Sequence, residues 1–238
     1  MPGFFSTLTM GLSISLLAAQ TDDPLATSVT QLAESVAEAY RDCGEQPTFP
    51  AAVDVRTNPS LVSYDFTNRT LSVSRHDELP PEMQGLMSAW ANAAGRADGA
   101  ALFGDIFNSL LVPHEMGHWM QHISRRAITL DRWEGEVEAN RIAIAYWSLD
   151  ESDAADLPER IEGFTGFLGQ LPNPVPEGED PRAYFNANYD SFDAAQYGWF
   201  QGAFMREAWS RKDEAGFCDL ARLNAAAPAE AFANDPTD

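Results

Sequence analysis

Two histidines set four positions apart around a glutamate constrain this chain more than any other feature: Pro113-His114-Glu115-Met116-Gly117-His118-Trp119. On an α-helix of about 3.6 residues per turn, positions i and i+4 share a face. Both imidazoles can then reach one Zn²⁺ at about 2.0–2.1 Å, with Glu115 placed to act on a metal-bound water. The segment therefore has to be helical, and the fold has to bring a further ligand to it. A catalytic zinc keeps three protein ligands and one open position. His122 is not that ligand. It lies at i+8 from His114, about 12 Å further along the axis, and is expected at the surface or behind the ligands.

The nearest downstream acids are Asp131, Glu134, Glu136 and Glu138, in or just before a second helical run, Trp133-Glu134-Gly135-Glu136-Val137-Glu138-Ala139-Asn140-Arg141. Helix geometry separates them. Glu136 and Asn140 share a face, continuing through Ala143 and Trp147, whereas Glu138 points about 160° away.

A His-Glu-x-x-His followed by a helix carrying Glu-x-x-Ala-Asn resembles the gluzincin zinc metallopeptidases. Locally, Glu136-Val137-Glu138-Ala139-Asn140 is similar to the Glu-x-Glu-Ala-Asn signature of the short ImmA/IrrE-like peptidases. The resemblance covers about residues 60–150. It implies one zinc ion held by His114, His118 and Glu136, with Asn140 buttressing His114. It also implies hydrolysis of polypeptides, with Glu115 taking the proton from the water and passing it to the leaving amine. An oxyanion donor is expected besides. His76 and the tyrosines of Tyr184–Tyr197 are the candidates, with Tyr197 preferred because it opens an aromatic helix.

The remaining pattern predicts an α+β, mostly helical, zincin-like fold with a small antiparallel sheet ahead of the active-site helix. Pro24 to Arg41 carries apolar residues at helical spacing and ends at Cys43-Gly44. Three β-rich runs follow, Ala52–Arg56, Leu61–Phe66 and Leu71–Ser74, the last two joined through Thr67-Asn68-Arg69 as a hairpin. Helices are expected over Pro80–Ala94, Asp105–Arg125, Trp133–Leu149, 153–171, Tyr197–Lys212 and Asp213–Leu223. Pro172–Pro181, with four prolines, reads as an exposed loop and the last dozen residues as a loose tail. Pro113 either kinks the helix running from Asp105 or begins a fresh one.

Residues 1–20 hold no charged side chain, and the run Phe4–Ala19 is apolar with five hydroxyl residues. That reads as a signal peptide, leaving 21–238 as one domain that is secreted or periplasmic and not inserted in a membrane. Cys43 and Cys218 are the only cysteines and are expected to pair, removing roughly 4–5 kcal/mol of unfolded-state entropy. With 15 Lys and Arg against 36 Asp and Glu, the formal charge is −21, which disfavours nucleic acid and anionic membranes as partners. The expectation is a monomer acting on polypeptides; the rival is a non-catalytic binding module on the same scaffold.

Overall fold

Pro24 begins the first helix, α1 (Pro24–Asp42), where its missing N–H costs nothing, and Asp23 caps it by accepting the Leu25 N–H at 3.1 Å. The structure, a computed structural model, describes residues 23–48, 51–57, 61–96 and 98–225. The apolar run 1–20 and the C-terminal tail lie outside the described residues.

Three short strands follow: β1 (Ala52–Val55), β2 (Val62–Asp65) and β3 (Thr70–Val73). β2 and β3 form the expected antiparallel hairpin, Asp65 opposite Thr70. Its turn is closed by the Asp65 carboxylate, which accepts the N–H groups of Thr67 and Asn68. β1 pairs with β3 and not with β2, giving the order β1-β3-β2. β1 runs parallel to β3, the crossover passing through β2, so the sheet is mixed, not wholly antiparallel. β2 is left at an edge.

Helices make up most of the remainder: α2 (Pro81–Ala93), α3 (Gly99–Asp105), α4 (Val112–Ile123), α5 (Arg132–Trp147), α6 (Glu151–Leu168), α7 (Pro181–Asn188), α8 (Ala194–Ser210) and α9 (Phe217–Leu223). The long helix expected from Asp105 is divided. A π-helical turn over Ile106–Leu110 joins α3 to α4, with Leu111 N–H bonded to the Ile106 carbonyl at 2.9 Å. Pro113 sits in the first turn of α4, so a fresh start accommodates it without a lost bond. The helix α7 was not anticipated, although Asp180-Pro181 carries a cap and a first-turn proline.

The centre of the fold is α5, buried on several sides through Trp133, Val137, Ala139, Ile142, Ala143 and Ile144. It packs against α4, α8 and α9. A sleeve of rings, Trp133 with Phe185, Phe200 and Phe204, locks α7 and α8 to its first turn. Cys43 at the end of α1 and Cys218 on α9 form a disulfide, their Cα atoms 5.2 Å apart, so the predicted staple between the first and last helices is made. Among the described residues no helix is long and apolar enough to cross a membrane.

Candidate metal centre

Gly117 decides how closely α4 and α5 approach. A Cβ at that position would stand 2.8 Å from Ala139 Cα, closer than real contacts allow, and a tight 3.1 Å from Ala139 Cβ. The bare glycine lets the two helices touch, and Glu136, one turn before Asn140 on α5, then faces both histidines. Glu136 Oε2 lies 3.4 Å from His114 Nε2 and 3.7 Å from His118 Nε2. Ligand atoms about 2.0–2.1 Å from a tetrahedral ion stand about 3.3–3.4 Å from one another, which is close to this spacing.

A second carboxylate competes for the third position. Ligand atoms of His114, Glu115 and His118 all fall within 4.8 Å of one another. Glu115 Oε1, however, reaches His114 Nε2 only at 3.9 Å, whereas Glu136 is nearer and spans both rings. Proximity therefore favours Glu136 as the completing ligand and leaves Glu115 beside the cluster. Two imidazoles and a carboxylate form a donor set suited to Zn²⁺, and the residues present fit such an ion.

Glu136 and His118 are held by neighbours. Tyr197 on α8 donates its hydroxyl to Glu136 Oε1 at 3.1 Å, and Gln201, one turn further on, donates Nε2 to Glu136 Oε2 at 3.0 Å. Tyr197 thus enters the site, but its proton is directed at the glutamate. Gln121 Oε1 stands 2.9 Å from His118 Nδ1. The expected bond from Asn140 to His114 is not made. Asn140 Nδ2 donates back to the Glu136 carbonyl at 3.0 Å, while Asn140 Oδ1 and His114 Nδ1 are both buried without a hydrogen-bond partner among the described residues. His122 stays out of the cluster, its Nδ1 3.0 Å from the Tyr64 hydroxyl. His76 faces Phe103 in a 3₁₀ turn and is not among the residues lining the cleft. Glu134 pairs with Arg182 and Arg211 at the surface, and Glu138 is buried against Arg126 on the other side of α5.

The electrostatics follow from burial and from this convergence. Burial pushes the Glu115 carboxyl up, against the opposing pull of His114 and His118. Burial acts the same way on Glu136, but its bonds to the two histidines outweigh it and hold that carboxyl well below the usual range. For His118, burial lowers the pKa and the bond to Glu136 more than restores it, to about 9. Burial, then the charge of Glu136, raises the Tyr197 hydroxyl well above 10, so it remains a donor. With protein groups alone, the buried Glu136 carboxylate holds a proton on His118; a divalent cation would satisfy the same field.

The cluster opens into a cleft of about 740 Å³. One wall is apolar, with Met83, Leu86 and Met87 from α2 and Phe164, Phe167 and Leu168 from α6. The edge strand β2 contributes Val62, Ser63 and Tyr64, and Tyr189 and Tyr197 stand on the remaining side with their rings 6.0 Å apart. Gly117, Gln121 and Gln201 escaped individual notice in the sequence, whereas Tyr189 is one of the tyrosines considered there as oxyanion donors. Spacing offers a signal for two of them, since Gln121 lies three positions after His118 and Gln201 four after Tyr197. Compared with known proteins, the chain matches no family model, no curated sequence and no solved structure.

Proposed function

We propose that this chain is an exported zinc-dependent peptidase of the minimal zincin type, with His114, His118 and Glu136 as ligands. The reading is carried by one observation: a single oxygen of Glu136 stands within 3.7 Å of the Nε2 atoms of both histidines. Zinc, when bound there, supplies a polarised carbonyl and a water whose pKa falls toward about 7.

The chain's own residues do the rest. Glu115, buried beside the cluster, accepts a proton from the attacking water at its carboxylate and hands it to the leaving nitrogen. Tyr197 and Gln201 fix the orientation of Glu136. Tyr189 lines the same cleft, and burial raises its hydroxyl, so it keeps its proton; it is the proposed donor to the scissile carbonyl oxygen as that atom gains charge. The edge of β2 offers main-chain groups to an extended polypeptide, and the apolar wall receives large apolar side chains. A disulfide and the uncharged, largely apolar run of residues 1–20 support export.

The test is turnover by the zinc-loaded protein on a peptide library. Bonds flanked by large apolar residues should be cut, and Glu115→Gln should lower kcat by about 10²–10⁴-fold while zinc is retained. Equal rates in wild type and variant would remove Glu115 as the base. Stoichiometric zinc without turnover would favour the binding-module reading.

A further inference from the structure

His118 does not choose its own tautomer. Its Nδ1 lies 2.9 Å from Gln121 Oε1, and the amide of Gln121 is oriented by what stands on its other side. Gln121 Nε2 faces the Gly135 carbonyl at 2.9 Å and Glu138 Oε1 at 3.5 Å. Both of these groups only accept. A flipped amide would set its oxygen against a carbonyl and a carboxylate, so nitrogen has to point there and oxygen toward His118.

Glu138 is buried and held by donors from two sides. Arg126 grips it through Nε, at 2.8 and 2.9 Å from its two oxygens, and through a guanidinium NH₂ at 2.6 Å. Asn224, wholly buried at the end of α9, adds a bond from Nδ2 to Glu138 Oε1 at 3.2 Å. The Asn224 carbonyl in turn accepts the Tyr40 hydroxyl of α1 at 2.7 Å, close to the Cys43–Cys218 disulfide that ties these two helices.

We propose that Gln121 is a positioning residue. It holds the proton of His118 on Nδ1 and turns the Nε2 lone pair toward the metal centre, and Glu138 acts on the metal through Gln121. The polarity runs in one direction: the Glu138 oxygen and the Gly135 carbonyl face the amide nitrogen, and the amide oxygen takes the Nδ1–H. Histidine ligands depend on such a partner at the second nitrogen for ring orientation and basicity. The assignment rests on the zinc reading only for its consequence, because the direction of the Nδ1–H bond holds with or without the ion.

The experiment combines zinc affinity by chelator competition with ¹⁵N-resolved spectra of the His118 ring, for wild type, Gln121→Leu, Glu138→Gln and the double variant. Wild type is expected to show a slowly exchanging Nδ1–H on His118, zinc-free and zinc-loaded, with Nε2 as the ligand. Gln121→Leu should lose that proton signal and bind zinc about 10–100-fold more weakly. Glu138→Gln should weaken zinc less, and the double variant should be no worse than Gln121→Leu alone. Additive losses would overturn the route through Gln121, since independent effects add. Zinc bound through Nδ1, or an unchanged His118 signal in Gln121→Leu, would overturn the assignment itself. If wild type takes no zinc, the metal reading fails, and the Nδ1–H signal of the zinc-free protein still decides the role of Gln121. A circular dichroism spectrum matching wild type in Glu138→Gln separates these results from misfolding.

Discussion

Gly117 and Ala139 are in contact across α4 and α5, so close that a side chain on the glycine would overlap the alanine Cα at 2.8 Å. The glycine lies inside the His-Glu-x-x-His segment, at one of its two unspecified positions, and the alanine lies between Glu136 and Asn140's turn of α5. Their contact sets the separation at which a carboxylate of one helix meets two imidazoles of the other.

Gly117→Ala is expected to force the helices apart. Overpacking of this kind costs about 1–3 kcal/mol, and the gain in helix propensity, about 1 kcal/mol, offsets it only in part. Zinc affinity should fall along with stability, because Glu136 is displaced from both histidines. Urea midpoints and a zinc titration on the same preparation check both effects; an unchanged affinity would mean that the approach of α4 and α5 does not govern the site.

Two tyrosines of the cleft should separate by kinetic signature. Tyr197→Phe removes the hydroxyl that holds Glu136 Oε1, so zinc should bind about 10-fold or more weakly. Tyr189→Phe should leave zinc affinity unchanged and lower kcat by about 10²–10³-fold, as expected for a lost oxyanion donor. Zinc affinity and kcat on one peptide, measured for both variants, decide the assignment, and exchanged phenotypes would reverse it.

The sign of the pH dependence follows from the raised and lowered groups. His118, raised to about 9, contributes stability that is complete below about 6.5 and is lost as pH rises through about 9. Glu115 is also raised, by burial, and its contribution is likewise lost with rising pH. Glu136, lowered, contributes above about 4.5 and loses that contribution only as pH falls toward its depressed value. Protein stripped of zinc should therefore lose several degrees of Tm between about pH 6.5 and 9.5. His118→Gln should flatten that fall. A scanning series with chelator present tests it, and an unchanged slope in the variant would contradict the His118–Glu136 coupling.

Much of this site was legible because helix periodicity is a strong local constraint. The spacing of His114 and His118, and the opposite directions of Glu136 and Glu138, follow from about 100° per residue once both segments are helical. Glu138 accordingly turned away and met Arg126. What the sequence did not disclose depends on contacts between elements distant along the chain. Nothing local says that Gln201 reaches Glu136 across 65 positions, or that β1 pairs with β3 past β2. Asn140 illustrates the limit on its own helix. It has the expected face, yet only its Nδ2 is engaged, by the carbonyl four residues back, and its Oδ1 does not meet His114 Nδ1. The π turn before α4 was equally hidden, since its i to i−5 bond has no signature in residue spacing.

The central claim is that positions 114, 118 and 136 share one ion, and metal analysis joined to a zinc-edge anomalous crystal structure tests it most directly. About one zinc per chain is expected, with Nε2 of His114, Nε2 of His118 and a Glu136 oxygen each about 2.0–2.2 Å from it. Purified protein that takes up no zinc, or an ion bound away from Glu136, would contradict it.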